Sequence, residues 1–385
     1  MSVLRILLIS LMLWPLCGPA MARALTEDGS VTLSGFGTLG LLHNSTDEAE
    51  FIRDIGQPKG ADEGWSARTD SLLGLQMGAR LNDELDVVVQ GISRYHDTGN
   101  FRPELSWAFL RYTPSPAVVL RAGRLGWDVY QLSDSRYVGY AYPWVRPPVD
   151  QFGSLQLSHI DGADVTFKHP IGSDMIRLKL YAGRSDSTIF LTDDLEADFD
   201  VDKVYGGHLD YETGPWRFRL GYTEVDADIH YAGAPADLIR QYLRIDPDPF
   251  FNDMLGIDNL KLYSLGLTYD SGPYQWQAMV NRSHTVGDSD VDSGFVSFGY
   301  RVGQWLPFAM FSIVDTSTPG GEDQNAFGQR TYSLGARYDV TPGIALKAQV
   351  DRIHVDQPGF LWRNQDQDWG DSWATMFSLG LDFVF

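Results

Sequence analysis

One cysteine stands among 385 residues, and it is Cys17, close to the amino terminus. No disulfide can therefore hold the fold together. Long apolar runs are equally scarce. After residue 24 no stretch of 18 apolar residues occurs, which excludes a membrane-spanning helix. Positive charge is in short supply too: 30 Lys and Arg face 51 Asp and Glu, a formal net charge of −21. A chain this acidic has no electrostatic basis for binding nucleic acid. The enzyme signatures H-E-x-x-H and G-x-S-x-G are missing. The eight histidines are dispersed, and strand alternation sends the neighbours Ser158-His159 and Ser283-His284 to opposite faces. No catalytic group, metal site or cofactor is expected, and no internal repeat suggests a propeller.

What is present begins with a leader. Arg5 is followed by an apolar run from Ile6 to Leu16 and a small-residue stretch ending in Ala22-Arg23-Ala24, an A-x-A cleavage signal. Ala20-Met21-Ala22 is an alternative signal. Residues 1–24 are read as a secretory signal peptide and 25–385 as one mature domain. Trp14-Pro15-Leu16 is too bulky for a lipoprotein box, so Cys17 is not expected to carry a lipid.

The rest of the chain alternates. Counting back from the end, Phe385, Phe383, Leu381, Leu379 and Phe377 are large and apolar, while Asp382, Gly380 and Ser378 between them are small or polar. Such a strand has one greasy and one wet face. Sixteen segments of this kind are expected, at about 31–43, 65–81, 84–95, 103–113, 117–127, 158–169, 174–186, 203–213, 216–226, 259–270, 273–286, 291–302, 304–315, 329–339, 343–354 and 373–385. Short turns rich in Gly, Pro, Asn and Ser separate alternate pairs, as at Asn82-Asp83, Gly214-Pro215 and Ser271-Gly272. Longer connections, 44–64, 128–157, 187–202, 227–258, 316–328 and 355–372, separate the others. Long strands with turns on one rim and loops on the other predict an all-β, 16-stranded antiparallel transmembrane β-barrel. Aromatics near strand ends (Trp127, Trp216, Tyr274, Trp276, Tyr300, Trp305, Tyr338, Trp373, Phe383) are expected to form interface girdles.

Parity then assigns the lumen. The second segment turns Arg68, Asp70, Gln76 and Arg80 inward against Leu73, Leu75 and Met77. The third gives Asp86, Gln90 and Arg94; the seventh Arg177 and Lys179; the ninth Arg217 and Arg219 against Trp216, Phe218 and Leu220. Arg337 and then Lys347, Gln349 and Asp351 face in from the fourteenth and fifteenth. A charge on the lipid face near the midplane costs about 2–4 kcal/mol, so repeated strand-centre arginines demand a wet, basic interior. Arg121 and Arg124 have opposite parity and cannot both face in without a bulge. Acid collects in 187–202, read as a solvated loop able to bridge divalent cations to lipopolysaccharide. In 227–258, residues 235–243 could form an amphipathic helix with Leu238, Ile239, Tyr242 and Leu243 on one side.

The chain resembles the 16-stranded Gram-negative porins in strand number, loop asymmetry and terminal Phe385, the mark by which outer-membrane proteins reach the barrel-assembly machinery. The resemblance implies a bacterial outer-membrane location, a homotrimer, and an inward-folded constriction loop after the fifth strand, at 128–157. That loop holds Tyr130, Tyr137, Tyr140, Tyr142, Trp144, Asp128, Asp134, Arg136, Arg146 and Asp150. The Pro-Glu-Phe-Gly motif of enterobacterial constriction loops is absent; Pro143-Trp144 and Arg146-Pro147-Pro148 stand instead. By analogy Asp134 and Asp150 would form the acidic side of the eyelet, and Arg68, Arg80, Arg94 and Arg124 the basic side. The expected function is passive diffusion of small hydrophilic solutes and ions, with an anion preference from the basic wall. The alternatives are a substrate-selective channel with its aromatic loop as a binding track, and a plugged structural or adhesive barrel.

Overall fold

The computed structural model describes residues 22–385 except 97–98, 156, 193–194, 244–245, 247, 249–258, 286–289, 318–326 and 367–368. Sixteen long strands form the wall: β1 (Val31–Asn44), β2 (Leu72–Arg80), β3 (Leu85–Arg94), β4 (Pro103–Ser115), β5 (Val118–Gly126), β6 (His159–Ile171), β7 (Asp174–Thr192) and β8 (Leu195–Thr213), then β9 (Trp216–Gly233), β10 (Asn259–Ser271), β11 (Tyr274–Thr285), β12 (Asp290–Tyr300), β13 (Trp305–Ser317), β14 (Gly328–Thr341), β15 (Ile344–Gln357) and β16 (Ser372–Val384). Each pairs antiparallel with the next, and β1 closes on β16 from Phe36–Val384 to Asn44–Met376. The expected 16-stranded barrel is therefore observed. Of the leader, residues 1–21 lie outside the described residues, and Arg23–Ala24 pairs with Leu33 and Thr32 of β1.

The turns follow from residue type. Gly214 and Gly272 sit at φ +52° and +57°, a region open to glycine, and each precedes a proline that cannot continue a ladder. Lipid-facing parity also follows the sequence. Leu73, Leu75 and Met77 on β2, Leu178 and Leu180 on β7, and Leu346 and Val350 on β15 are all exposed. Around the turn end, rings pair across strands: Trp216 with Tyr269 at 4.5 Å, Tyr274 with Tyr300 at 5.4 Å, Trp305 with Tyr338 at 4.7 Å. Trp127 does not join them. It is 3% exposed, packed inside the barrel.

Three expectations are corrected. The 187–202 segment is mostly a continuation of the β7–β8 hairpin, which reaches Thr192 and Leu195. Its acids alternate with apolar residues: Leu195, Ala197, Phe199 and Val201 are buried, whereas Asp198, Asp200 and Asp202 are exposed. β9 likewise runs on to Gly233, followed by helical turns over Ala234–Leu238 and Ile239–Leu243. The second segment is shorter than expected. Gly64–Ser66 pairs with Leu42 and His43, and the chain then breaks before β2, so Arg68 and Asp70 belong to the β1–β2 connection. The third correction concerns the interior. At its loop end the barrel holds a packed apolar cluster that includes Phe51, Ile52, Tyr142, Trp144, Phe295 and Trp362. The β1–β2, β5–β6 and β15–β16 connections all contribute to it, and Glu50–Phe51 pairs inside with Trp362–Arg363. Parity reads only the wall, and this filling comes from loops.

The closing seam depends on close backbone approach. A Cβ on Gly37 of β1 would run into the Phe383 ring and the Leu72 carbonyl. Gly37→Val is therefore expected to cost about 1–3 kcal/mol through overpacking, read as a lower urea midpoint and a smaller heat-modifiable folded fraction on electrophoresis.

Candidate functional site

The β5–β6 loop (residues 127–158) enters the barrel, and charge holds it there. Arg146 is its central clamp. Nε and Nη2 donate to the two oxygens of Asp70 at 2.9 and 2.7 Å, Nη1 to Asp351 at 3.0 Å, and Nη2 also to Ser378 Oγ at 2.6 Å. All three charged side chains are at most 5% exposed. A guanidinium fork suits this task because it binds one carboxylate with two parallel donors and still reaches a second.

Other contacts run along the same side of the wall. Trp144 stacks on Tyr142 at 5.6 Å and donates Nε1–H to Ser297 of β12 at 2.9 Å. The Val145 amide donates to Gln349 of β15 at 2.9 Å. Lys347 gives Nζ to the Gly139 and Trp144 carbonyls, both at 2.6 Å, and pairs with Asp382 at 2.7 Å. Arg337 donates to the Tyr140 carbonyl at 2.6 Å. Among the described residues no cation pairs with Asp150. It accepts from Ser312 and Gln329 at 2.5 Å and from Thr331 at 3.2 Å, and burial pushes its carboxyl above the usual range. Arg136 closes the loop on itself, donating Nη2 to the Leu157 carbonyl at 3.1 Å.

The root of the loop joins an alternating chain of charge. Arg121 meets Asp164 at 2.5 Å, and Lys179 lies 3.6 Å from that acid and 3.0 Å from Asp128. Arg219 then binds Asp128 and Asp210, each at 2.7 Å. Asp134 is exposed beside this chain, with Arg121, Lys179 and Arg219 among its charged neighbours.

The residues expected at the eyelet thus separate. Arg94, Asp134, Arg136, Arg146, Asp150, Lys179, Arg219, Arg337 and Lys347 touch or border the loop. Arg68 instead donates to the Gly60 carbonyl at 2.7 Å and lies over Tyr95. Arg80 ends β2 at the turn rim, and Arg177 and Arg217 share Glu212 near that rim, at 2.8 and 2.7 Å. Arg124 shares the cross-strand row of Asp161 and Arg184, not that of Arg121. No register shift occurs between β5 and β6, so the parity conflict is resolved by turning Arg124 out of the Arg121 row and into the gap beside β4. Sequence reasoning missed Asp128 and Asp382 as anchors. Asp382 had a signal: it is the single charged residue of β16, at an inward position.

Opposite the clamped side, β4 and β5 part. Their ladder ends at Ala108–Arg124, while β3–β4 continues to Ser93–Pro103 and β5–β6 to Gly126–His159. A cavity of about 320 Å³ occupies the gap, lined by Arg94, Arg102, Arg124, Asp54, Glu104 and Asp186, with Tyr137 of the loop.

A closed 16-stranded wall with a loop clamped inside it matches one family in sequence as well. The Gram-negative porin family model aligns with residues 8–358. The chain belongs to the Gram-negative porin family. This makes it an outer-membrane channel by family and fold. No curated protein matches it. Among solved structures, an anion-selective porin from Comamonas acidovorans superposes with TM-score 0.57 at 14% identity, covering 92% of this chain and 99% of that one. Salmonella typhi OmpF in complex with daunomycin gives 0.57 at 12%, covering 95% and 100%. The trimer form of Vibrio cholerae OmpT gives 0.51 at 10%, covering 92% and 100%. At these identities the likeness is one of fold.

The porin's clamp yields a direct test. Arg146→Ala leaves Asp70 and Asp351 buried without their cation, a loss expected to cost about 3–5 kcal/mol. The urea midpoint of the folded barrel should fall accordingly, and Asp70→Asn combined with Arg146→Ala should lose less than the sum of the two single changes.

Proposed function

We propose that this porin is a restrictive diffusion channel for small hydrophilic solutes and ions, with its path displaced toward β3–β7. One observation carries the reading: the β5–β6 loop is bonded along β9–β16, whereas toward β3–β5 it borders the water-accessible cavity at Tyr137. Arg94, Arg102 and Arg124 face that cavity together with Asp54, Glu104 and Asp186. Opposed charges orient water and dipolar solutes. Near-equal numbers of each sign support weak ion selectivity over the anion preference expected from a bare basic wall. The wall cations Arg121, Lys179 and Arg219 are each in contact with a carboxylate.

The same reading takes residues 1–24 as a leader removed on export and Phe385 as the mark read by the assembly machinery. It takes the working form as a homotrimer in lipopolysaccharide, with the exposed acids of the β7–β8 hairpin toward the sugar and phosphate layer. The trimer form among the similar structures supports the subunit number. One observation favours a different reading: the apolar cluster at the loop end fits a closed, structural barrel.

Purified protein in a planar bilayer separates the two. Stepwise conductance with a small reversal potential in a salt gradient is the expected result, and silence from folded protein would establish the plugged barrel. Because the exported chain has no cysteine, Arg102→Cys places a single thiol at the cavity. A bulky methanethiosulfonate reagent should lower its conductance while leaving Leu265→Cys, on the lipid face, unaffected. Equal responses would show that solutes travel elsewhere.

A further inference from the structure

At the loop end of β6 and β7, three side chains form a cluster apart from the clamp. His159 and Asp161 are two residues apart on β6. Asp161 pairs with Arg184 of β7, so Asp186, two residues further along, is set opposite His159. Their ligand atoms lie within 4.8 Å of one another. His159 Nε2 is 3.9 Å from Asp161 Oδ2 and 3.7 Å from Asp186 Oδ1. We propose that His159, Asp161 and Asp186 bind a divalent ion of the zinc class on the wall of the β4–β5 gap.

The imidazole carries the argument. Its side chain is 8% exposed, and Nε2 is buried without a hydrogen-bond partner. Buried polar atoms without partners are uncommon and signal a missing one. Nδ1 lies 3.3 Å from Ser158 Oγ, so the hydroxyl reaches the ring despite the opposite faces expected for this pair. A proton on Nδ1, donated to Ser158, leaves a lone pair on Nε2 directed at two carboxylates. Lone pair and carboxylates repel unless a cation lies between them. Second-shell donation of this kind is how metal-binding histidines are oriented.

Donor type and spacing select the ion. One imidazole nitrogen with two carboxylate oxygens suits zinc or cobalt, whereas calcium and magnesium take oxygen sets. Bonds of ~2.0–2.2 Å around a tetrahedral ion place ligand atoms roughly 3.3 Å apart, so the gaps of 3.9 and 3.7 Å from His159 need to close by roughly half an ångström, and the exposed Asp186 side chain is free to turn toward Asp161 from within 4.8 Å. A water from the cavity can supply the fourth position.

Arg124 is the competing cation. It holds Asp161 through Nε at 2.8 Å and Nη2 at 2.6 Å but stays 4.0 Å from Asp186. Each carboxylate oxygen has a second lone pair, so Asp161 can accept Arg124 and an ion together. Arg184, opposite Asp161 on β7, is a second cation near the cluster, and Glu104 a third acid, so three carboxylates against two guanidiniums leave a net negative charge for the ion. Asp186 is 78% exposed, which opens the site to solvent.

The test is a titration of chelator-washed, folded protein with zinc chloride and, separately, cobalt chloride. It is run in a His354→Gln background, because His354, Asp356 and Asp371 form a second cluster with ligand spacing. One equivalent of zinc should bind, with a visible cobalt absorption band typical of tetrahedral coordination. His159→Gln and Asp186→Asn should each weaken binding by more than the roughly 10–100-fold of a second-shell change, and Ser158→Ala by about that amount. Asp186, being exposed, can be changed without disturbing the fold, and heat-modifiable mobility checks every variant. Zinc binding unchanged in both ligand variants, or no binding by the folded parent, would overturn the assignment and leave His159 as an ion-pair partner.

Discussion

The contact on which everything else depends is the pairing of β1 with β16. In hydrocarbon an unpaired strand edge leaves backbone groups with no water to bond, each at several kcal/mol, so a spanning sheet must close on itself. Sixteen strands then set the diameter, and a ring of that size encloses more room than wall side chains can fill. The remaining architecture answers that vacancy. Three connections enter the lumen and build an apolar cluster of the kind found in globular proteins, with the β5–β6 loop at its centre.

Bringing a loop into such a lumen creates an electrostatic problem that the wall solves residue by residue. At about 4 Å, two unit charges interact by roughly 4 kcal/mol at an effective dielectric of 20. The cations that meet the loop have their acids: Arg146 has Asp70 and Asp351, Lys347 has Asp382, and Arg219 has Asp128 and Asp210. Arg146 and Asp128 belong to the loop and their partners lie outside it, so these pairs fix the loop's position as well as cancelling charge. The clamped side is packed with paired and hydrogen-bonded side chains. The gap between β4 and β5, where the ladder stops early, holds the cavity lined by charged side chains. The side of the lumen against which the loop packs follows from where the acids lie on the wall.

Much of this was legible from residue order. Period-two alternation with Gly and Pro turns gives the strands, and outward leucines at 73, 75, 178, 180 and 346 give the lipid face. Inward parity at Lys179, Arg219, Arg337 and Lys347 also follows, since a charge at strand centre has only one tolerable side. The misread stretches have specific causes. Leu195-Glu196-Ala197-Asp198-Phe199-Asp200-Val201 alternates perfectly, but its acid content resembles a solvated loop. Arg68 and Asp70 keep the parity of β2, yet the chain breaks before them to carry Asp70 to Arg146. Trp127 has the composition of a girdle residue and the position of a core one.

By itself, the sequence determined the strand periodicity, the closed sheet and the sign of each face, because these obey local rules: side-chain alternation, turn stereochemistry and the cost of charge in lipid. Only the tertiary structure decided which charges are paired, where the loops pack in the lumen and which residues line the cavity between β4 and β5. Those outcomes rest on contacts between residues as distant as Arg146 and Asp351 or Thr38 and Asp382. No local pattern encodes such contacts, since they exist only once the barrel has closed and its loops have turned inward.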